Sequence, residues 1–262
     1  MIREIEKWEG LGNDFVVIDA RENAALTALA ENERSERFRA LCDRHRGIGA
    51  DGVLLLVRTP SALAKMLVYN ADGGRPEMCG NGLRCMAAYL VSHGAATQLD
   101  LDTEAGVKRC DITVSDHAYC IRVDMGPARD VGERSALGHV LREINIGNPH
   151  AILFDPPAPG PERDALAKQL EFIREGNTNV EFARVAQNAI DLVVWERGVG
   201  YTQACGTGAC ATVFAACLEG RLAFNTPTIV HLPGGDLKIV AAPNGDVEMS
   251  GPARRVFRAV VG

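Results

Sequence analysis

Two cysteines in this chain sit in the same local sequence. Cys79 lies in EMCGNGLRCMAAYL and Cys205 in QACGTGACATVFAACL, and both read Cys-Gly-x-Gly ahead of an apolar, helix-like segment. A thiol just before a helix faces free N–H groups that carry partial positive charge. That placement lowers a thiol pKa and raises the thiolate fraction. The same N–H groups bind a carboxylate, and flanking glycines let the backbone approach a ligand closely. Asn81 and Thr207 read as the N-cap side chains of the two helices. One such cysteine suggests a nucleophile or a redox thiol. Two in matched settings suggest a reaction that is itself nearly symmetric, in which a proton leaves one face of a carbon and another arrives on the opposite face. One group is then thiolate and the other thiol, and they exchange roles on reversal.

The other six cysteines, Cys42, Cys85, Cys110, Cys120, Cys210 and Cys217, are expected as buried packing. A disulfide framework fits poorly in a chain of 262 residues whose first residues, MIREIEKWEGLGNDF, are charged and lack the apolar core of a secretion signal. A structural zinc site needs paired C-x₂₋₄-C spacings. Cys205 and Cys210 have no matching second pair, so no metal is expected. The net charge is −6 and no basic stripe stands out, which argues against nucleic acid as a partner. No run of 18 apolar residues is present, so no membrane span is expected, and the chain reads as cytoplasmic, where thiols stay reduced.

The elements that must position the two thiols repeat. GNDFVVID at 12–19 resembles GNPHAILF at 147–154, the two cysteine motifs lie 126 residues apart, and VDMGPA ending at Ala128 resembles EMSGPA ending at Ala253. Three matches in one order, at nearly one spacing, indicate two copies of a unit. In each copy, short β-like runs are bounded by Gly, Asn, Pro and Asp. They are FVVID, GVLLLV, LDLDT, DITV and YCIRVDM in the first, and AILF, NVEFARV, DLVVWE, TIVHL and DLKIVA in the second. One helix follows each cysteine. Leu83, Met86, Ala87, Leu90 and Val91 share a helical face, and Gly94 suits its end; Ala209 to Leu218 is apolar nearly all round, which marks a buried helix. Two further helices are expected near Ser35–His45 and Asp164–Arg174. The fold class is α/β (α+β): two pseudo-symmetric domains from an internal duplication, each a curved, mostly antiparallel sheet wrapped around a central helix. The expected bounds are 1–123, with 252–262 returning to it, and 124–251.

The segments GLGNDFVVIDA, CDRHRGIGADGVLLL, NADGGRPEMCGNGLRC, GNPHAILF, NTNVEFARV, ERGVGYTQACGTGACA and LPGGDL resemble those of diaminopimelate epimerases, in the same order and over almost the whole chain. The resemblance implies a cofactor-independent epimerase that interconverts LL- and meso-2,6-diaminopimelate, a precursor for lysine and peptidoglycan, with the site in a cleft between the domains. It implies that the last strand returns to the first domain, and it carries an expectation of a homodimer. By motif position Cys79 and Cys205 would be the acid/base pair. Gly80, Asn81, Gly206 and Thr207 would offer N–H groups to the substrate α-carboxylate. Asn13, Asn70, Asn148, Asn179 and Arg197 would hold the remaining amine and carboxylate groups, for which asparagine is suited because it both donates and accepts. Glu196 would also lie at the substrate, and His150 and Glu196 would tune or orient the thiols and the reacting amine.

Each of these residues has a plainer reading. Asparagine in GND, NADG and GNPH is a common turn former. Glu196 and Arg197 follow an apolar strand and suit an exposed pair about as well as a cleft rim. His150 alone would more often be a structural histidine. Two positions depart from the family pattern: Gly52 stands where some members have Gln, and Tyr201 where many have Glu. Both concern what reads the distal end of the substrate, and neither touches the thiols. The alternatives are a sister racemase or epimerase acting on histidine or hydroxyproline, a redox or metal-binding thiol protein, and an isomerase of the same fold that lacks the cysteines. The last is disfavoured by the presence of both thiols.

Overall fold

A computed structural model describes residues 4–76, 78–115 and 118–260. Glu77 of the first cysteine motif, and the ends of the expected domain ranges at 1–3 and 261–262, lie outside the described residues. The chain forms two units, Met1–Val123 with Gly251–Gly262, and Asp124–Ser250.

The first unit is built from β1 (Glu4–Gly10), β2 (Asn13–Asp19), α1 (Ala24–Thr27), α2 (Glu31–Cys42), β3 (Gly52–Val57), β4 (Ala64–Asn70), α3 (Gly80–Ser92), β5 (Gln98–Thr103), β6 (Gly106–Ser115) and β7 (Ala118–Pro127). The second holds β8 (Arg129–Ala136), β9 (His139–Asn145), β10 (Pro149–Phe154), α4 (Pro161–Leu170), β11 (Asn179–Ala186), β12 (Ala189–Glu196), β13 (Gly200–Tyr201), α5 (Gly206–Leu218), β14 (Thr228–Leu232) and β15 (Gly235–Ala241). The long β16 (Asp246–Val260) pairs with β15 through Val247–Ser250 and with β1 through Arg254–Val260.

Pairing is mostly antiparallel, with parallel neighbours at β2–β3 and β4–β5 in the first unit and β10–β11 and β12–β14 in the second. A parallel pair needs a crossover connection, and each of the four is bridged by a helix: α2, α3, α4 and α5 in turn. The two units therefore repeat one topology. In each, the sheet curves around the helix that follows the cysteine. Helix α3 packs on β1, β2, β4 and β6, and α5 packs on β9, β10, β11, β12 and β15. Both helices are buried over nearly their whole length. They also stop alike. Gly94 and Gly220 take positive φ, and the following N–H groups of Ala95 and Arg221 close on the Leu90 and Ala216 carbonyls.

All ten strand-like runs of the sequence are strands. The α2 and α4 helices begin about three to four residues earlier than the sequence suggests, each with acidic residues in its first turn and α4 with a proline at its start. The short α1, the strands β1, β4, β8, β9 and β13, and the full length of β16 lie outside the runs that the sequence marks. Several of these are charged or solvent-facing, so their apolar periodicity is weak; Arg254–Arg258 of β16 is an exposed run. One cysteine differs from expectation. Cys120 is exposed, on the outward side of β7 with Arg122 and Asp124, while Ile121, Val123 and Met125 alternate inward.

Candidate active site

Both cysteines are the N-caps of their helices. Cys79 and Cys205 have extended backbones, and each sulfur accepts the N–H of the third helical residue, Gly82 at 3.3 Å and Gly208 at 3.4 Å. The sulfurs thus do what Asn81 and Thr207 were expected to do. The reason is register: Asn81 and Thr207 are the second helical residues, so their side chains project sideways. Both third positions are crowded, by different neighbours. A Cβ on Gly82 would lie 2.8 Å from Leu54 Cδ2, and one on Gly208 would lie 2.8 Å from Glu181 Oε1.

Around Cys79, Asn81 Nδ2 donates to Asn13 Oδ1 at 3.2 Å, and Asn13 Nδ2 donates to Asp51 Oδ2 at 2.9 Å. Arg84, fully buried, donates from Nη2 to Asn81 Oδ1 at 2.9 Å and from Nε to the Pro252 carbonyl at 3.2 Å. This anchors the start of α3 to the chain segment that re-enters the unit. Asp51 Oδ2 also accepts the Asp14 N–H, and Asp14 pairs with Lys7 and Arg44. Asn70 ends β4 opposite Gly52, and the N–H of the next residue, Ala71, bonds to the Asp51 carbonyl. Asn13 and Asn81 therefore stand together at the start of the helix that Cys79 caps, and Asn70 lies across from Gly52, next to Asp51.

Around Cys205, a chain of side chains runs inward. Thr207 Oγ1 lies 3.5 Å from the sulfur and accepts from Asn148 Nδ2 at 3.3 Å. Asn148 Oδ1 is 2.9 Å from His150 Nε2, and His150 Nδ1 is 2.6 Å from Glu181 Oε1. The His150 and Glu181 side chains are fully buried. Glu196 accepts from the Thr202 hydroxyl at 2.6 Å. Asn179 is held at both ends, donating to the Pro149 carbonyl and accepting the Arg197 N–H. The Arg197 guanidinium reaches the Gly176 carbonyl at 2.9 Å. Burial pushes the Cys205 thiol well above its ordinary pKa, and the Glu196 and Glu181 carboxyls add to the rise; Thr207 and the Gly208 N–H pull the other way and do not overcome it. The lowered pKa expected from the helix start is thus reversed at Cys205. Burial likewise raises the Glu181 and Glu196 carboxyls, against the pull of His150 on both and of the Thr202 hydrogen bond on Glu196.

Comparison with known proteins decides the family. The family model described as diaminopimelate epimerase matches residues 6–131 and 143–256. The chain is 38% identical to the diaminopimelate epimerase of Desulfitobacterium hafniense, covering 98% of each. It is 39% identical to that of Sphingopyxis alaskensis, covering 98% of this chain and 96% of the relative. The chain belongs to the diaminopimelate epimerase family. Solved structures share its fold at low identity. A PhzF-family phenazine biosynthesis protein from Bacillus anthracis superposes with a TM-score of 0.75 at 13% identity, over 99% of both chains. A hydroxyproline epimerase from Agrobacterium vitis gives 0.73 at 13% identity, over 99% of this chain and 90% of that one.

The two departures from the family pattern have local causes. At Gly52 a Cβ would stand 2.6 Å from the Tyr69 carbonyl oxygen and 3.3 Å from the Phe15 ring, so this backbone excludes any side chain. Tyr201 stacks edge-on against Trp195 and donates to Asp164 Oδ1 at 3.0 Å, which ties β13 to α4. Four residues at these sites carry no signal of their own in the sequence: Asp14, Asp51, Arg84 and Glu181. Asp14, Asp51 and Glu181 lie within GNDF, GIGADG and NVEFARV, so adjacency to the motifs was the only signal. A cavity of about 530 Å³ elsewhere in the first unit is lined by Glu4, Glu6, Asp19, Glu22 and His93. It lies at the far end of α3 from Cys79 and contains none of the expected site residues.

Proposed function

We propose that this protein interconverts LL- and meso-diaminopimelate by two-base proton transfer, with Cys79 and Cys205 as the proton carriers. Membership of the diaminopimelate epimerase family, in a chain that retains both thiols as matched helix caps, is the observation that carries this reading. One sulfur, as thiolate, removes the α-hydrogen as a proton. The other, as thiol, delivers its proton to the opposite face, and the protonation states of the two are exchanged after turnover. The N–H groups of Gly80, Asn81, Gly206 and Thr207 point out of the first turns of their helices, where anions bind, and suit the α-carboxylate. They would also stabilise the charge that develops as the proton leaves. Asn13, Asn70, Asn148, Asn179, Glu196 and Arg197 bind the remaining polar groups of the substrate, and His150 and Glu196 adjust the Cys205 thiol. The chemistry uses no cofactor and no metal. The eight free cysteines suit a reducing cytoplasm, and family membership favours a homodimer.

Incubation with LL-diaminopimelate in D₂O tests the activity. Meso product with deuterium at one α-carbon is expected, and conversion of histidine or hydroxyproline instead would reassign the substrate. Cys79→Ala and Cys205→Ala should each abolish epimerisation. Cys79→Ser and Cys205→Ser should eliminate from opposite stereoisomers of an analogue with a β-leaving group. A common stereoisomer preference would overturn the two-base assignment.

A further inference from the structure

The two units place different residues beneath their thiols. Glu181 Oε1 underlies Gly208 as Leu54 Cδ2 underlies Gly82, each 2.8 Å from the position a Cβ would take. His150, in GNPH, stands where GNDF has Phe15; Phe15 pairs with Gly52 across β2–β3, and His150 with Asn179 across β10–β11. The Cys79 side is apolar at both positions, and the Cys205 side carries a buried ionisable pair. Burying such a pair costs free energy, so its presence on one side alone points to a role tied to Cys205.

Donor counting assigns that role. Asn148 Oδ1 accepts from His150 Nε2, so Nε2 carries a hydrogen, and Asn148 Nδ2 donates to Thr207 Oγ1. One further proton lies between His150 Nδ1 and Glu181 Oε1, either as imidazolium with carboxylate or as imidazole with carboxylic acid. Both placements keep the hydrogen on Nε2. Thr207, already an acceptor, is left with its hydroxyl hydrogen for the Cys205 sulfur. Every donor then points toward the sulfur. With Nε2 bare, Asn148 would turn over, Thr207 would donate to it, and the sulfur would have to be the donor, as a thiol.

We propose that Glu181, acting through His150, is a positioning residue that sets the direction of this relay, so that it ends as a hydrogen bond to the Cys205 sulfur and favours the thiolate. The proposal rests on reading Cys205 as a proton carrier. The relay opposes the burial of the sulfur and the carboxyls of Glu181 and Glu196, which all favour the thiol.

The test is a pH titration of thiolate ultraviolet absorbance, without substrate. Each protein is compared with its own Cys205→Ser counterpart, so that the difference reports Cys205 alone. Glu181→Leu, which installs the residue of the first unit, should raise the Cys205 midpoint by about one pH unit, or about tenfold less thiolate below it, the size of one hydrogen bond to a charged group. Glu181→Gln should stay close to the parent, because its amide can donate to Nδ1 and keep the hydrogen on Nε2. Thr207→Val, which removes the last donor, should raise the midpoint as Glu181→Leu does, and the double variant should add nothing. An unchanged or lowered midpoint in Glu181→Leu overturns the relay; a lowered one is what loss of a nearby negative charge alone produces. If Glu181→Leu does not fold by circular dichroism, the other two variants decide. No shift in Thr207→Val, or a full unit in Glu181→Gln, overturns the proposal. No step of the titration depends on epimerisation, so its outcome is separate from that of the activity assay.

Discussion

The third-position glycines of the two cysteine motifs offer a paired perturbation. Alanine at either position gains about 1 kcal/mol of helix propensity over glycine. At Gly208 the new methyl would stand 2.8 Å from Glu181 Oε1 and 3.2 Å from the Cys205 sulfur. Neither can retreat freely: the Glu181 oxygen is fully buried and held 2.6 Å from His150, and the sulfur caps the helix. Overpacking of this kind costs about 1–3 kcal/mol, and loosening a buried hydrogen bond costs about 1–3 kcal/mol more. Gly208→Ala should therefore lose about 3 kcal/mol net. At Gly82 the same methyl meets Leu54 Cδ2 at 2.8 Å, a flexible apolar end, and the Cys79 sulfur at an ordinary 3.4 Å. Gly82→Ala should stay within about 1 kcal/mol of the parent, as the helix gain offsets a mild overpacking. Urea denaturation at constant m-value measures both changes. Turnover of LL-diaminopimelate should fall at least about tenfold in Gly208→Ala, since a shift of about 1.4 kcal/mol in the barrier suffices for that. Equal stability losses at the two glycines, or an unperturbed Gly208→Ala, would refute the account of what lies beneath each thiol.

Burial alone would raise the Asp14 carboxyl, but hydrogen bonds from Arg44 and Lys7 outweigh it and hold the group at about 2, below its unfolded value. Its contribution is thus full above about pH 4 and is lost as the pH falls toward 2. Asp14→Asn should cost about 1 kcal/mol at neutral pH, after discounting for solvent screening, and the gap to the parent should close in acid, as read by denaturation at several pH values. Cys120, the one exposed cysteine, should be the first alkylated by iodoacetamide in peptide mass mapping, and Cys120→Ser should leave epimerisation and stability unchanged. Arg84→Met should destabilise the first unit by about 3 kcal/mol, because it leaves the buried Asn81 oxygen and the Pro252 carbonyl without this donor. Hydrogen exchange should then rise at the start of α3.

The sequence by itself determined the repeat, the two central helices and the identity of the thiols. Each of these is a local pattern: apolar periods of two and 3.6, glycines at turns and helix ends, and a four-residue motif written twice. The family followed from such motifs in order. What the sequence left open depends on distance through space. Nothing in NVEFARV says that Glu181, rather than Glu196, lies against His150, because that contact comes from the parallel pairing of β10 with β11 and the facing of their side chains. Arg84 reads as an ordinary polar position in a helix until the returning end of the chain brings the Pro252 carbonyl to it. The identity of the two helix caps is open in the sequence for a related reason. Any of three adjacent residues can supply the cap by composition, and only the observed backbone start makes it the sulfur. The same holds for the Cys205 pKa. A helix start acts locally and lowers it, but burial and two carboxyls from neighbouring strands act through the fold, and they prevail.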